Sequence, residues 1–167
     1  MAFLLFDLDG TTLSSAEIDL IKHPKTAGIV LFARNFHSFD QLNSLISDIR
    51  IHCQEKSFLI TVDHEGGRVQ RFHEEFTTLP AVGTLADMAT DHEHLLHLCH
   101  EFGWLMASEV RAAGIDISFA PVADVDIGIS TVIGKRSFGS KPGVVTQAVS
   151  AYIEGMREAG MAATVKH

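Results

Sequence analysis

Two groups of residues stand out for the chemistry that their types and spacing allow. Asp7 and Asp9 sit two apart at the end of an apolar run, just before Gly10. Carboxylates so placed can hold Mg²⁺ between them while one attacks phosphorus and the other moves a proton. The second group is Asp63-His64-Glu65-Gly66-Gly67-Arg68, followed by Arg71. Here an apolar run delivers an acidic pair into a double-glycine turn. Glycines let a backbone turn sharply and approach a ligand closely. Asp63 can accept hydrogen bonds from adjacent hydroxyls, as on a sugar, and Arg68 or Arg71 can donate in a fixed fork. A salt-bridge network at the end of a sheet accounts for the same residues equally well. His92, His94, His97 and His100, with Cys99, invite a metal. His94 and His97, or His97 and His100, share a helix face. No acidic or second-segment ligand stands at metal-site spacing, so a solvated helix face and no metal are expected.

The elements that must position these residues alternate. Residues 3–8, 28–33, 58–63, 115–122 and 161–166 are short apolar runs, expected as five strands buried on both faces. Between them lie amphipathic stretches. Ser14 caps a helix with Glu17 in its first turn. Asp40 is expected to cap another, with Leu42, Leu45, Ile46 and Ile49 at helical period. Residues 91–113 form a long helix closed by Gly114, and residues 142–159 one that opens on Pro142 and closes at Gly160. Trp104 and Met106 are expected in the helix core. Strand–helix alternation with doubly buried strands means an α/β fold with a parallel sheet. A doubly wound open sheet and a (β/α)8 barrel of TIM type both fit. Polar residues follow each strand: Asp7 and Asp9, Arg34 and Asn35, Asp63, Asp124, and Lys166 with His167. An open sheet gathers its site at one switch point, so five polar strand ends suit a ring better.

The 167 residues are enough for one domain with a core, and a content 46% hydrophobic and 20% charged excludes a disordered tail. A net charge of −8 without a basic cluster argues against nucleic acid. No apolar run approaches membrane-spanning length. The N-terminal apolar stretch lacks a basic start and runs into Asp7, so a signal peptide is not expected. Two cysteines, Cys53 and Cys99, without framework spacing point to a reducing compartment and a cytoplasmic location.

Phe6-Asp7-Leu8-Asp9-Gly10-Thr11-Thr12-Leu13 resembles the nucleophile motif of the haloacid-dehalogenase-like phosphatases. Asp124 and Asp126 would have to complete the Mg²⁺ site, and no strand-end Ser/Thr with a suitably placed Lys accompanies them. A longer series of motifs points elsewhere. Thr61-Val62-Asp63-His64-Glu65-Gly66-Gly67-Arg68-Val69-Gln70-Arg71-Phe72 is joined, in order, by Gly28-Ile29-Val30-Leu31-Phe32-Ala33-Arg34-Asn35 and Gly103-Trp104-Leu105-Met106-Ala107-Ser108-Glu109. Asp116-Ile117-Ser118-Phe119-Ala120-Pro121-Val122 with Asp124-Val125, then Ile133-Gly134-Lys135-Arg136-Ser137-Phe138, and finally Lys166-His167 follow. Together they resemble the bacterial β-N-acetylglucosaminidases of glycoside hydrolase family 3 over nearly the whole chain.

The resemblance implies the first five β/α units of a (β/α)8 barrel, with residues 1–167 a single domain and the N-terminal portion of that barrel. It implies that Asp63, Arg71, Arg136, Lys166 and His167 bind a terminal N-acetylglucosamine, that Asp124 holds the arginines, and that Asp7 and Asp9 line the mouth. It implies no metal and no organic cofactor. In the family, the acid/base His and the nucleophilic Asp follow beyond the position of His167. Retaining hydrolysis needs both groups, so the 167-residue chain alone is expected to be inactive and to self-associate through open barrel edges. The complete protein would release N-acetylglucosamine from muropeptides in cell-wall recycling. A non-catalytic sugar-binding fragment and the phosphatase are the alternatives.

Overall fold

The structure is a computed structural model that describes residues 3–53 and 57–167. Along the chain come β1 (Leu4–Asp7), α1 (Ser15–Lys22), β2 (Thr26–Leu31), α2 (Phe39–His52), β3 (Leu59–Val62), β4 (His64–Gly66) and β5 (Val69–Gln70). They are followed by α3 (Leu85–Met88), α4 (His92–Ala112), β6 (Ile117–Ser118) and α5 (Pro142–Glu158). Strands β1, β2, β3 and β6 form one parallel sheet in that order. Strands β4 and β5 form a separate antiparallel hairpin.

Local chemistry sets the helix boundaries. Ser14 and Glu17 make a reciprocal capping box at α1. Asp91 accepts the His94 N–H at 2.9 Å and opens α4. Asp40, the expected cap of α2, is instead inside the first turn. Ser38 is the cap, its hydroxyl accepting the Gln41 N–H at 3.2 Å. Asp40 still serves the positive end of the helix dipole.

Two expected strands are shorter than their apolar runs. Residues 115–122 give a regular strand only at Ile117–Ser118. Ala120 turns its N–H back to Ser118 O (2.8 Å), and Pro121 has no N–H to give. The fifth run therefore has no regular ladder to join. It aligns in parallel through a bridge between Val122 and Lys166. Thr164 N–H reaches Ala120 O (2.8 Å), Lys166 N–H reaches Pro121 O (3.2 Å), and Ala123 N–H reaches Lys166 O (2.7 Å).

The core joins the sheet to its helices. Ile29, Leu31 and Ile60 of the sheet are fully buried with Leu42 and Ile49 of α2 and Met106 and Val110 of α4. Strand β1 departs from the doubly buried expectation. Among the described residues it pairs only with β2, and Leu4 and Leu5 are 66% and 40% exposed. Helices α4 and α5 cross at backbone contact. A Cβ on Gly103 would lie 2.2 Å from Tyr152 O, and one on Gly155 would lie 2.0 Å from His100 O. Trp104 is 44% exposed while Met106 is fully buried. Two residues along a helix turn about 200°, so the two cannot share the core face. Among the described residues, no helix is long and apolar enough to cross a membrane.

Candidate functional site

The site forms where β3 ends. Asp63 leaves the strand and the chain turns at once into the β4–β5 hairpin. Gly66 and Gly67 take positive φ, +96° and +55°. A Cβ on them would meet Pro80 O at 2.5 Å and Ala81 Cβ at 2.7 Å. Only glycine permits that turn so close to its neighbours. Buried Gln70 then fixes the path of the following loop. Its amide donates to Phe72 O and Thr77 O, both at 2.9 Å, and its carbonyl accepts the Leu79 N–H at 3.0 Å. Arg71 is carried at the start of that loop. Arg136 ends a single 3-10 turn, Gly134–Arg136, after β6. Lys166 and His167 come from the segment bridged to Val122.

These elements bring all five expected residues to one cleft of about 450 Å³. Lys166 Nζ lies 2.8 Å from Asp63 Oδ1 and 2.6 Å from Glu65 Oε1. Arg136 grips Glu65 with a two-pronged fork, Nε to Oε2 and Nη2 to Oε1, each 2.8 Å. Arg71 Nη2 stands 3.7 Å from Asp63 Oδ2, an ion pair beyond hydrogen-bond reach. Its guanidinium lies over the Phe32 ring at 5.5 Å. His167 Nδ1 is 2.7 Å from Asp124 Oδ2, and its Nε2 is 3.5 Å from Arg136 Nη2. Arg68 also lines the cleft and donates to Val132 O. Phe119, Val69 and Val132 supply apolar wall.

Glu65 is the residue that sequence reasoning passed over. It is 7% exposed and ties Arg136 and Lys166, from two separate segments, to the end of β3. Burial pushes its carboxyl up. The hydrogen bonds from Arg136 and Lys166, with their charges, outweigh burial and hold it below the ordinary carboxylate range. The same fork raises Arg136 above its ordinary value. Strand periodicity was the available signal, because residues i and i+2 point to one side. Asp124 acts on Arg136 through its charge, helping to raise it above its ordinary value, while its direct partner is His167. Ala123 pairs with Lys166 O in the backbone, and that register sets Asp124 beside His167.

The other candidates lie apart. Asp7 pairs with Arg34, and the Asp9 N–H donates to Glu17 Oε1 at 2.9 Å. Neither is in the cleft wall. A guanidinium thus faces Asp7 where a metal site would need a further carboxylate. Among the described residues, no group of three or more His, Cys, Asp or Glu side chains is arranged to hold a metal. Along α4, His92 meets Gln147 (3.0 Å), His94 meets Thr90, and His100 lies between Glu101 and Glu158, 3.2 Å from each. Cys53 and Cys99 are free and buried, and burial pushes the Cys99 thiol up to about 12.

Strands that neighbour each other in chain order, with polar groups gathered at their C-terminal ends, define the first part of a TIM-type (β/α) barrel. A doubly wound sheet would reverse its order. The chain belongs to glycosyl hydrolase family 3, whose N-terminal domain matches residues 6–167. A beta-hexosaminidase of Methylococcus capsulatus is 51% identical over 163 residues, which cover 98% of this chain and 48% of the relative. Native NagZ from Neisseria gonorrhoeae superposes with a TM-score of 0.94 at 37% identity, covering 99% of this chain and 49% of its own. The same gonococcal protein solved with N-trifluoroacetyl-D-glucosamine also superposes at 0.94, with 37% identity and the same coverage of both chains. The chain spans about half the length of the curated relatives it matches.

Proposed function

We propose that the complete protein is a retaining β-N-acetylglucosaminidase. It removes terminal non-reducing N-acetylglucosamine from muropeptides during cell-wall recycling in the cytoplasm, through a glycosyl-aspartate intermediate and without metal or organic cofactor. Residues 1–167 are read as one domain, the N-terminal portion of its barrel. In it Asp63, Arg71, Arg136, Lys166 and His167 bind the terminal sugar.

The pairing of charges in the cleft carries this reading. Arg136, Lys166 and Arg71 each face a carboxylate, Glu65 or Asp63. Each of these three cations is thus already engaged by a carboxylate and not free for a phosphate, and Arg68 in the same wall donates to Val132 O. Such a cleft suits a neutral ligand rich in hydroxyls. Asp63 Oδ2 has no hydrogen bond from Arg71 at 3.7 Å and remains able to accept one from a hydroxyl. Arg136 uses Nε and one Nη2 proton on Glu65 and reaches Val132 O from Nη1 (3.3 Å). Its remaining N–H groups can donate. The gonococcal neighbour solved with a glucosamine derivative supports the same class of ligand.

The nucleophile and the acid/base of retaining hydrolysis have no counterpart among the residues that carry the resemblance. The 167-residue chain alone therefore binds the sugar without cleaving it. It also self-associates through the exposed β1 edge, Phe3, Leu4 and Leu5, and through the groove lined by Ile153, Met161 and Val165. A chromogenic N-acetylglucosaminide tests the reading. Turnover is expected from a polypeptide extended to the relatives' full length, lost in its Asp63→Asn variant, and absent from purified 167-residue chain. Turnover by the short chain, or an extended protein indifferent to Asp63→Asn, would overturn it.

A further inference from the structure

The structure assigns to Glu65 the choice between uncharged and anionic ligands. It depends on the sugar reading above only for which uncharged ligand is taken. Glu65 does not line the cleft; it stands behind the wall, 7% exposed, with Arg136 and Lys166 between it and the open space. Those two cations come from segments far apart in the chain, and each is largely buried, 11% and 17% exposed. Two such cations converging on a part-buried cleft are the ordinary recipe for an anion site, the more so with Arg68 and Arg71 in the same wall. Glu65 prevents this in two ways. Its two oxygens take the fork of Arg136 and one proton of Lys166. Its charge offsets theirs where water screens poorly. What Arg136 and Lys166 can still offer inward is a small set of oriented N–H groups, their charges offset by Glu65 and, at Lys166, by Asp63 as well. That arrangement favours hydroxyls and a carbonyl over sulfate, phosphate or a carboxylate. Asp63 cannot substitute. It is itself in the cleft wall and shares only Lys166 at hydrogen-bond distance.

Glu65 is thus a positioning residue whose removal adds a binding property, which a merely structural role does not predict. The 167-residue chain and its Glu65→Gln variant are titrated with sodium sulfate at constant ionic strength, and separately with N-acetylglucosamine, following amide shifts by NMR. Glu65→Gln is expected to bind sulfate about tenfold or more tighter than the unaltered chain, with shifts centred on Arg136 and Lys166, and to lose affinity for the sugar. Glu65→Asp, which keeps the charge, is expected to gain no sulfate affinity. Adding Arg136→Gln to Glu65→Gln is expected to abolish the gain. Equal sulfate affinity in the unaltered chain and Glu65→Gln overturns the inference. If the unaltered chain ignores N-acetylglucosamine while Glu65→Gln gains sulfate, the inference stands and the sugar reading falls. If Glu65→Gln does not fold, the double variant decides. Recovery of the fold on removing Arg136's charge upholds the pairing, and failure to recover makes Glu65 a packing residue only.

Discussion

His64 lies between the two acidic residues of the site yet takes no part in it. Its side chain is fully buried, neither ring nitrogen has a hydrogen-bond partner among the described residues, and it packs against Phe72 and Phe76 at 5.8 and 5.6 Å. Burial, with the charges of His73 and Arg71, pushes its pKa down to about 4. Between pH 6.5 and 4 the unfolded chain therefore binds a proton at this position that the folded chain refuses. Stability falls as pH falls through that window and levels off below it. The cost between pH 7 and pH 5 is about 2 kcal/mol. Urea unfolding of His64→Leu at the two pH values is expected to show the acid loss reduced by about that amount; an unchanged loss would assign it to other groups. At this scale the sequence was partly legible. The residue types that bind polar ligands were visible in Asp63, Arg71 and Arg136. Which cation meets which carboxylate was not, because Glu65 and Arg136 are 71 residues apart in sequence and only the fold makes them neighbours.

Elements were easier to read than their ends. Strand and helix periods located β2, β3, α4 and α5 to within a few residues, since each has a strong apolar pattern and a chemical stop. The exceptions have local causes: a second cap candidate at Ser38, and a proline and a backward-turned N–H that cut β6 short. What periodicity cannot register is how near two helices come. At the α4–α5 crossing Gly155 has His100 O where its Cβ would be, so Gly155→Ala is expected to cost about 1–3 kcal/mol through overpacking. Gly143, in the first turn of α5, has nothing within 4 Å. Gly143→Ala is expected to stabilise by roughly 0.5–1 kcal/mol through reduced freedom of the unfolded chain. Denaturant midpoints of the two variants should move in opposite directions. A common direction would mean that the crossing is not as close as described.

Over the whole molecule, the alternation of apolar runs with amphipathic stretches limited the fold to an α/β architecture, and the polar strand ends favoured a ring over an open sheet. The sheet order β1-β2-β3-β6 bears out the ring. The exposure of β1 was not legible, because an apolar strand reads the same whether or not a neighbour covers it. Phe3, Leu4 and Leu59 are 59%, 66% and 41% exposed, and Val165, at the other margin of the sheet, is 54% exposed. Sedimentation of the 167-residue chain should accordingly show concentration-dependent association, weakened by Leu4→Lys. A monomer at every concentration would show that these surfaces do not attract one another.

Sequential strand order has a consequence for how the molecule comes into being on the ribosome. Each new strand needs only its immediate predecessor as a template, so the sheet can grow from one margin in the order of synthesis. The charged groups paired at the cleft are then acquired in the same order: Asp63 and Glu65, Arg136 about seventy residues later, and Lys166 after it. Until Arg136 and Lys166 emerge, Glu65 is a carboxylate without counter-ions. Within residues 1–167, the charge pairing around Glu65 is complete only when the segment carrying Lys166 is laid beside Val122.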